Sequence, residues 1–175
     1  MNETRNILIG FDFGTETSQI CYYDRQAGSA VSLPVKVGTE NAAFANCIST
    51  ADGKHWHFGP EAEFFSSQKG ESFVSGIYDL CQSSQEIMVA GRAYRPGELL
   101  AVLIRESLAL LGLPEPLRKI TSFMMTTPRI SRTLVENVRV AYEELGVEKG
   151  RAFLQEYAES FYYETFSHRL DGRGR

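Results

Sequence analysis

From residue 95 onward the apolar residues change period again and again, and this alternation limits the possible folds more than any other feature of the chain. Arg95-Pro96-Gly97-Glu98 opens a stripe of Leu99, Leu100, Leu103, Ile104, Leu108 and Leu111 at helical spacing, with Gly112 and Pro114 as its stop. Ile120 to Thr126 (ITSFMMT) then reads as a buried strand closed by Thr127-Pro128. A second helix is expected from Ser131 or Arg132 to Leu145, with Leu134, Val138, Ala141 and Leu145 on one face and Gly146 after it. Arg151 to Leu154 reads as a short strand and Gln155 to Phe166 as a third helix. Strand, helix, strand, helix requires parallel crossover units packed on one sheet.

The front of the chain follows the other period. Ile7 to Phe13 is an apolar run of strand type closed by Gly14-Thr15-Glu16-Thr17, and Ser18 to Asp24 and Ala30 to Val37 follow as two further runs. Three antiparallel strands are therefore expected to open the chain. In the middle, Phe44 to Thr50 and His55 to Phe58 flank Asp52-Gly53, a hairpin signal, and Gly59-Pro60-Glu61 starts a helix. Glu86 to Tyr94 is expected to form a hairpin about Ala90-Gly91-Arg92.

Composition closes off several function classes. The chain has 175 residues, the size of one domain or two small lobes. Lys plus Arg number 18 against 22 Asp plus Glu, a net charge of −4, which offers no basic footprint for nucleic acid. No apolar stretch is long enough to cross a membrane as a helix, and the opening MNETRNILIGFDFG carries no secretory core. Cys21, Cys47 and Cys81 are odd in number and form no C-x-x-C pair, so reduced thiols and a cytoplasmic location are expected.

The residues with chemistry in them are Asp12-x-Gly14-Thr15-x-Thr17-Ser18, at the end of one strand and the start of the next. A carboxylate at a strand end can organise a hydrated divalent cation, a glycine admits phosphate oxygens, and hydroxyl and loop N–H groups can donate to them. A β-turn in which the Asp caps backbone amides fits the same four residues equally well.

The run ILIGFDFGTETSQICYYD resembles the first phosphate motif of the actin, heat-shock chaperone and sugar-kinase ATPase superfamily, and is most similar to its DnaK (seventy-kilodalton heat-shock) branch. Further matches follow in order: Ala51-Asp52-Gly53 with Phe58-Gly59-Pro60-Glu61-Ala62, then Pro96-Gly97-Glu98, then ITSFMMTTPRISRTLVENVRVAYEELGV. Gln155-Glu156-Tyr157-Ala158 stands where that branch has Asn-Glu-Pro-Thr. The resemblance implies an α/β fold of ribonuclease-H-like type, a mixed sheet with crossover helices forming the first ATPase lobe. That lobe would be Met1 to Val37 with Pro96 to Arg175, and an inserted α+β subdomain would span Gly38 to Arg95. It further implies ATP and magnesium as ligands. Asp12 would organise the magnesium shell through water, Gly14, Thr15, Glu16 and Thr17 would face the phosphates, and Glu156 would orient a water. Without the resemblance, Glu156 reads as a dipole partner in the first turn of a helix.

Three departures shape the expectation. Phe73 to Gln82 (FVSGIYDLCQ) holds no lysine where the family has one on the γ-phosphate, the Asn-Glu-Pro-Thr stretch is altered, and no second phosphate motif D-x-G-G-G-T occurs. The chain is therefore expected to be one half of an ATP cleft, inactive alone, with a second lobe in cis and protein clients or co-chaperones as possible partners. The rival readings are a non-enzymatic scaffold with a degenerate site, an actin-like filament protein, and a small-molecule kinase. His55-Trp56-His57 would put two imidazoles on one face of a strand, and reads as exposed hairpin decoration sooner than as a metal site. The aromatic set Tyr157, Phe161, Tyr162, Tyr163 and Phe166 reads as a packing face or a surface for the second lobe, and the arginines of the last residues as a solvated end.

Overall fold

The structure is a computed structural model that describes residues 7–24, 28–32, 41–111 and 122–162. Three strands open it: β1 (Ile7–Phe13), β2 (Thr17–Asp24) and β3 (Ser29–Ser32). Each pairs antiparallel with the next, Phe11 facing Ile20 and Tyr22 facing Val31. The remainder of the expected Ala30–Val37 run lies outside the described residues.

Two small sheets and two short helices follow. Their elements are β4 (Ala43–Ala45), β5 (Ile48–Thr50), β6 (His57–Phe58), α1 (Gly59–Phe65), β7 (Ser72–Val74), α2 (Ile77–Leu80), β8 (Ile87–Val89) and β9 (Arg92–Tyr94). The single strand expected over Phe44–Thr50 is two strands. β4 joins β2 in the main sheet, whereas β5 pairs with β6 and β7 in a separate one. The chain breaks at Asn46-Cys47 because the Asn46 side chain turns to the loop after β1. His55, expected on a strand, sits instead in the Asp52-Gly53 turn, where Asp52 Oδ1 accepts its N–H at 2.9 Å. The second hairpin forms as expected: Ala90 and Gly91, at φ +46° and +79°, give the two-residue turn between β8 and β9.

The crossover part comprises α3 (Pro96–Leu108), a 3-10 turn at Ala109–Leu111, β10 (Ser122–Thr127), α4 (Arg132–Leu145) and β11 (Ala152–Glu156). Glu98 accepts the Arg95 N–H at 2.7 Å at the start of α3, and the Ser131 hydroxyl accepts the Leu134 N–H at 3.1 Å at the start of α4. Gly112, Pro114 and Ile120 lie outside the described residues, as do Tyr163, Phe166 and the terminal arginines. The third helix begins at residue 157, two positions later than expected. Gln155 and Glu156 stay extended because they continue the parallel ladder, opposite Thr126 and Thr127.

The main sheet has the order β11-β10-β1-β2-β3, with β4 also on β2; β1, β10 and β11 are parallel. The fold is thus mixed α/β. Alternation buries one face of the sheet: Ile9, Phe11 and Phe13 of β1 and Phe123 and Met125 of β10 are no more than 1% exposed. They share one core with Leu99, Leu100, Leu103 and Ile104 of α3 and Leu134, Val138 and Ala141 of α4. Ile48, Val74, Ile77, Val89 and Tyr94 from the intervening segment extend that same core. Each such buried side chain contributes about 1.5–3 kcal/mol. The two long helices meet closely at Gly97, where an added Cβ would lie 2.4 Å from the Asn137 carbonyl oxygen.

Candidate functional site

Three parallel strands end at one edge, and the residues at their carboxyl ends form the candidate site. Register places Asp12, Thr126 and Gln155 side by side. Because strand neighbours in register share a face, all three stand on the face opposite the buried Phe11 and Phe123. Asp12 is exposed, and its Oδ1 accepts a hydrogen bond from the Thr126 hydroxyl at 3.4 Å and from the Tyr157 hydroxyl at 2.5 Å. Glu156 pairs with Thr127 one step along, and so belongs to the other face. There its Oε1 accepts the N–H of Ile130 at 2.7 Å, bracing the loop between β10 and α4. Strand alternation therefore separates Asp12 and Glu156, the two carboxylates singled out in the sequence, across the sheet. Glu156 ends a strand and is not in the first turn of a helix, so the dipole reading of it is corrected.

The turn from Gly14 to Thr17 is tight. The Gly14 N–H donates to the Thr17 carbonyl at 3.1 Å, and a Cβ on Gly14 would lie 2.6 Å from that same oxygen. Only glycine fits. Asn46 supports the turn from below: its Nδ2 donates to the Gly14 carbonyl at 2.7 Å, its backbone N–H donates to the Glu16 carbonyl at 2.9 Å, and its Oδ1 accepts from the Ser18 hydroxyl at 2.5 Å. A trans peptide points its carbonyl and the following N–H in opposite directions, and no described peptide is cis. Holding the Gly14 carbonyl therefore aims the Thr15 N–H away from Asn46. Thr15, Glu16 and Thr17 are all exposed at this turn. A strand-end carboxylate beside outward amides and hydroxyls can hold an anion together with its hydrated cation.

Beside the turn lies a cavity of about 230 Å³ lined by Thr15, Glu16, Asn46, Cys47, Glu63 and Asp79, among others. Its charged lining is acidic, with Glu16, Glu63 and Asp79 and no Lys or Arg. Asp79 comes from the Phe73–Gln82 stretch that lacks the expected lysine. Anionic phosphate is repelled here by like charge. The side of the turn that carries Asp12 is separate from this cavity.

Tyr157 closes that side. Its hydroxyl would lie 3.3 Å from a Cβ on Gly14, in addition to its bond to Asp12. Burial, the hydrogen bond to Asp12 and the nearby negative charge push its pKa well above the ordinary phenol value, so it stays a proton donor. Sequence reasoning took Tyr157 for part of an aromatic packing face or a surface for the second lobe, and gave Asn46, Thr126 and Gln155 no role in the site. The break in the apolar run at Asn46-Cys47 was the one local sign of Asn46. Among the described residues, His55 and His57 assemble no metal site. His55 bonds to Asp52 at 2.7 Å, His57 pairs with Glu61 at 3.3 Å and stacks on Phe65, and the described residues hold no group of three or more His, Cys, Asp or Glu placed to bind a metal. No helix among the described residues is long and apolar enough to cross a membrane.

Residues 29–171 match the C-terminal part of a family of unknown function, DUF5716. The matched region contains Asn46, Glu156 and Tyr157 and begins after the Asp12–Thr17 turn. No curated protein matches the chain.

Proposed function

The chain belongs to the family of unknown function DUF5716, and from that premise we propose that it forms half of a nucleotide-binding cleft in which the Asp12–Thr17 turn holds the phosphates of Mg-ATP. The reading rests on one observation: Asp12 lies at the carboxyl end of β1, the middle strand of the main sheet, directly beside a glycine turn whose amides Asn46 directs outward. Ligands of open α/β sheets sit at such carboxyl ends. The strand order β3-β2-β1-β10-β11, with two parallel neighbours after three antiparallel strands, supports the ribonuclease-H-like form of the fold. The residue pattern supports kinship with the DnaK branch of the actin-like ATPases. The turn at Gly14 closes so tightly on the Thr17 carbonyl that only glycine stands beside Asp12, and the exposed Asp12 fits a water-shelled cation.

Magnesium would supply charge neutralisation of the phosphates when bound. Within the chain, Asp12 orders the cation's waters, and Thr15 and Thr17 donate from the turn. Asn46 keeps the turn rigid, so that the turn itself is not reorganised on binding. Glu156 holds the loop before α4 through Ile130 and acts on this edge by positioning. In the complete protein a second lobe would close the adenosine side, and slow hydrolysis would switch its conformation.

Titration calorimetry of the full-length protein tests the proposal. Mg-ATP should bind, and Asp12→Ala should weaken it by tenfold or more. Equal affinity in the variant would overturn the assignment. A second reading, a non-enzymatic scaffold of the same fold, is favoured by the Tyr157 hydroxyl on Asp12 and by the lysine-free acidic cavity. It predicts no Mg-ATP binding at all.

A further inference from the structure

We infer that Tyr157 is a built-in stopper of this site: its hydroxyl caps the carboxylate of the cradle that Asp12 and Gly14 form, and a phosphate-bearing nucleotide with its hydrated cation must displace it to bind. The inference rests on the nucleotide reading above and adds a regulatory contact to it. Its ground is geometric. The Tyr157 hydroxyl is 2.5 Å from Asp12 Oδ1, a carboxylate oxygen that the proposed cation shell needs. The same hydroxyl stands 3.3 Å from the position of a Cβ on Gly14, a position that already lies 2.6 Å from the Thr17 carbonyl oxygen, so tyrosine and turn backbone together crowd the space beside Asp12. The cradle and its stopper come from opposite ends of the described chain, 145 residues apart, and so form only in the folded state.

Tyr157 is also placed to leave. It follows Glu156, the last residue of the β11 ladder, and opens the helical residues 157–162. A rotamer change there breaks no sheet pairing. The side chain is exposed enough, at 37%, that solvent can receive it. The swing gives up the hydrogen bond to a carboxylate, an interaction whose strength corresponds to about a ten- to hundredfold change in an equilibrium constant. A ligand that needs the open form therefore binds more weakly by about that factor.

The test compares the full-length wild type with Tyr157→Phe and Tyr157→Ala by titration with Mg-ATP, after thermal melts establish that all three are folded. Tyr157→Phe removes only the hydroxyl and should bind Mg-ATP at least about tenfold more tightly than wild type, with Tyr157→Ala at least as tight. A second readout needs no turnover. In protein carrying tyrosine labelled with carbon-13 at Cζ, the resonance that Tyr157→Phe deletes should shift when wild type is saturated with Mg-ATP. Equal affinity in wild type and Tyr157→Phe, with an unmoved resonance, overturns the stopper and leaves the nucleotide reading standing. Weaker binding by Tyr157→Phe also overturns it, making Tyr157 a ligand contact instead. Absence of binding in all three proteins overturns the nucleotide reading and the stopper with it.

Discussion

At the scale of single residues, Asn46 carries more of the site than its sequence context suggests. It is 2% exposed and bonds to the turn through both ends of its amide and through its backbone N–H. Removing a buried amide leaves such partners unsatisfied, at about 1–3 kcal/mol. Asn46→Ala should therefore lower the unfolding free energy by about 2 kcal/mol in urea titrations. It should also weaken Mg-ATP binding, because the Gly14 carbonyl is no longer held. A variant within about 0.5 kcal/mol of wild type would show that the turn stands without Asn46. Glu156 illustrates the opposite lesson. Its carboxylate looks catalytic by order along the chain, yet its observed partner is a backbone N–H of the loop before α4.

At the scale of elements, the α3–α4 contact joins the two long helices of the crossover part. Asn137 of α4 accepts the Gly97 N–H at 3.1 Å and donates to the Cys81 and Ser83 carbonyls at 3.0 and 2.9 Å, so one side chain ties α3, α4 and the end of α2 together. Gly97 permits this approach, since a Cβ there would also stand 2.7 Å from Val140 Cβ. Gly97→Ala should destabilise the protein by about 2 kcal/mol, the scale of an overpacked core, even though alanine is the better helix former. A raised denaturation midpoint would mean that propensity outweighs the clash. Mg-ATP affinity of the folded fraction should be unchanged, because the turn is built from β1, β2 and Asn46.

At the scale of the whole molecule, burial of the thiols sets the alkaline limit. Burial raises the Cys47 thiol to about 11 and the Cys81 thiol to about 12, against 9.0 for a free thiol. The folded state thus favours the protonated form. Its contribution to stability is complete below about pH 9 and is lost as the pH rises from there through 11 and 12. Under reducing conditions the urea midpoint should fall between pH 8 and pH 10.5, and the Cys47→Ala/Cys81→Ala double variant should show a smaller fall. An identical fall in both proteins would remove the thiols as its cause.

The sequence by itself determined the elements whose cause is local. The Leu99–Leu111 stripe, the α4 stripe between Ser131 and Gly146, and the turns at Asp52-Gly53 and Ala90-Gly91 each follow from side-chain period or turn chemistry within a few residues. The strand that carries Asp12 and the presence of a turn at Gly14 were legible for the same reason; how tightly that turn closes was not. Tertiary structure decided the rest, because the deciding contacts join residues far apart in the chain. The ladder from β10 held Gln155 and Glu156 extended, where local pattern would start a helix. Register then put Asp12 and Glu156 on opposite faces of the sheet. Asn46 reached the turn from 32 residues away, and Tyr157 reached Asp12 from 145. Period and spacing report what a residue does to its own turn or strand. Which distant side chain fills the space over a glycine is settled only when the sheet brings its strand ends together.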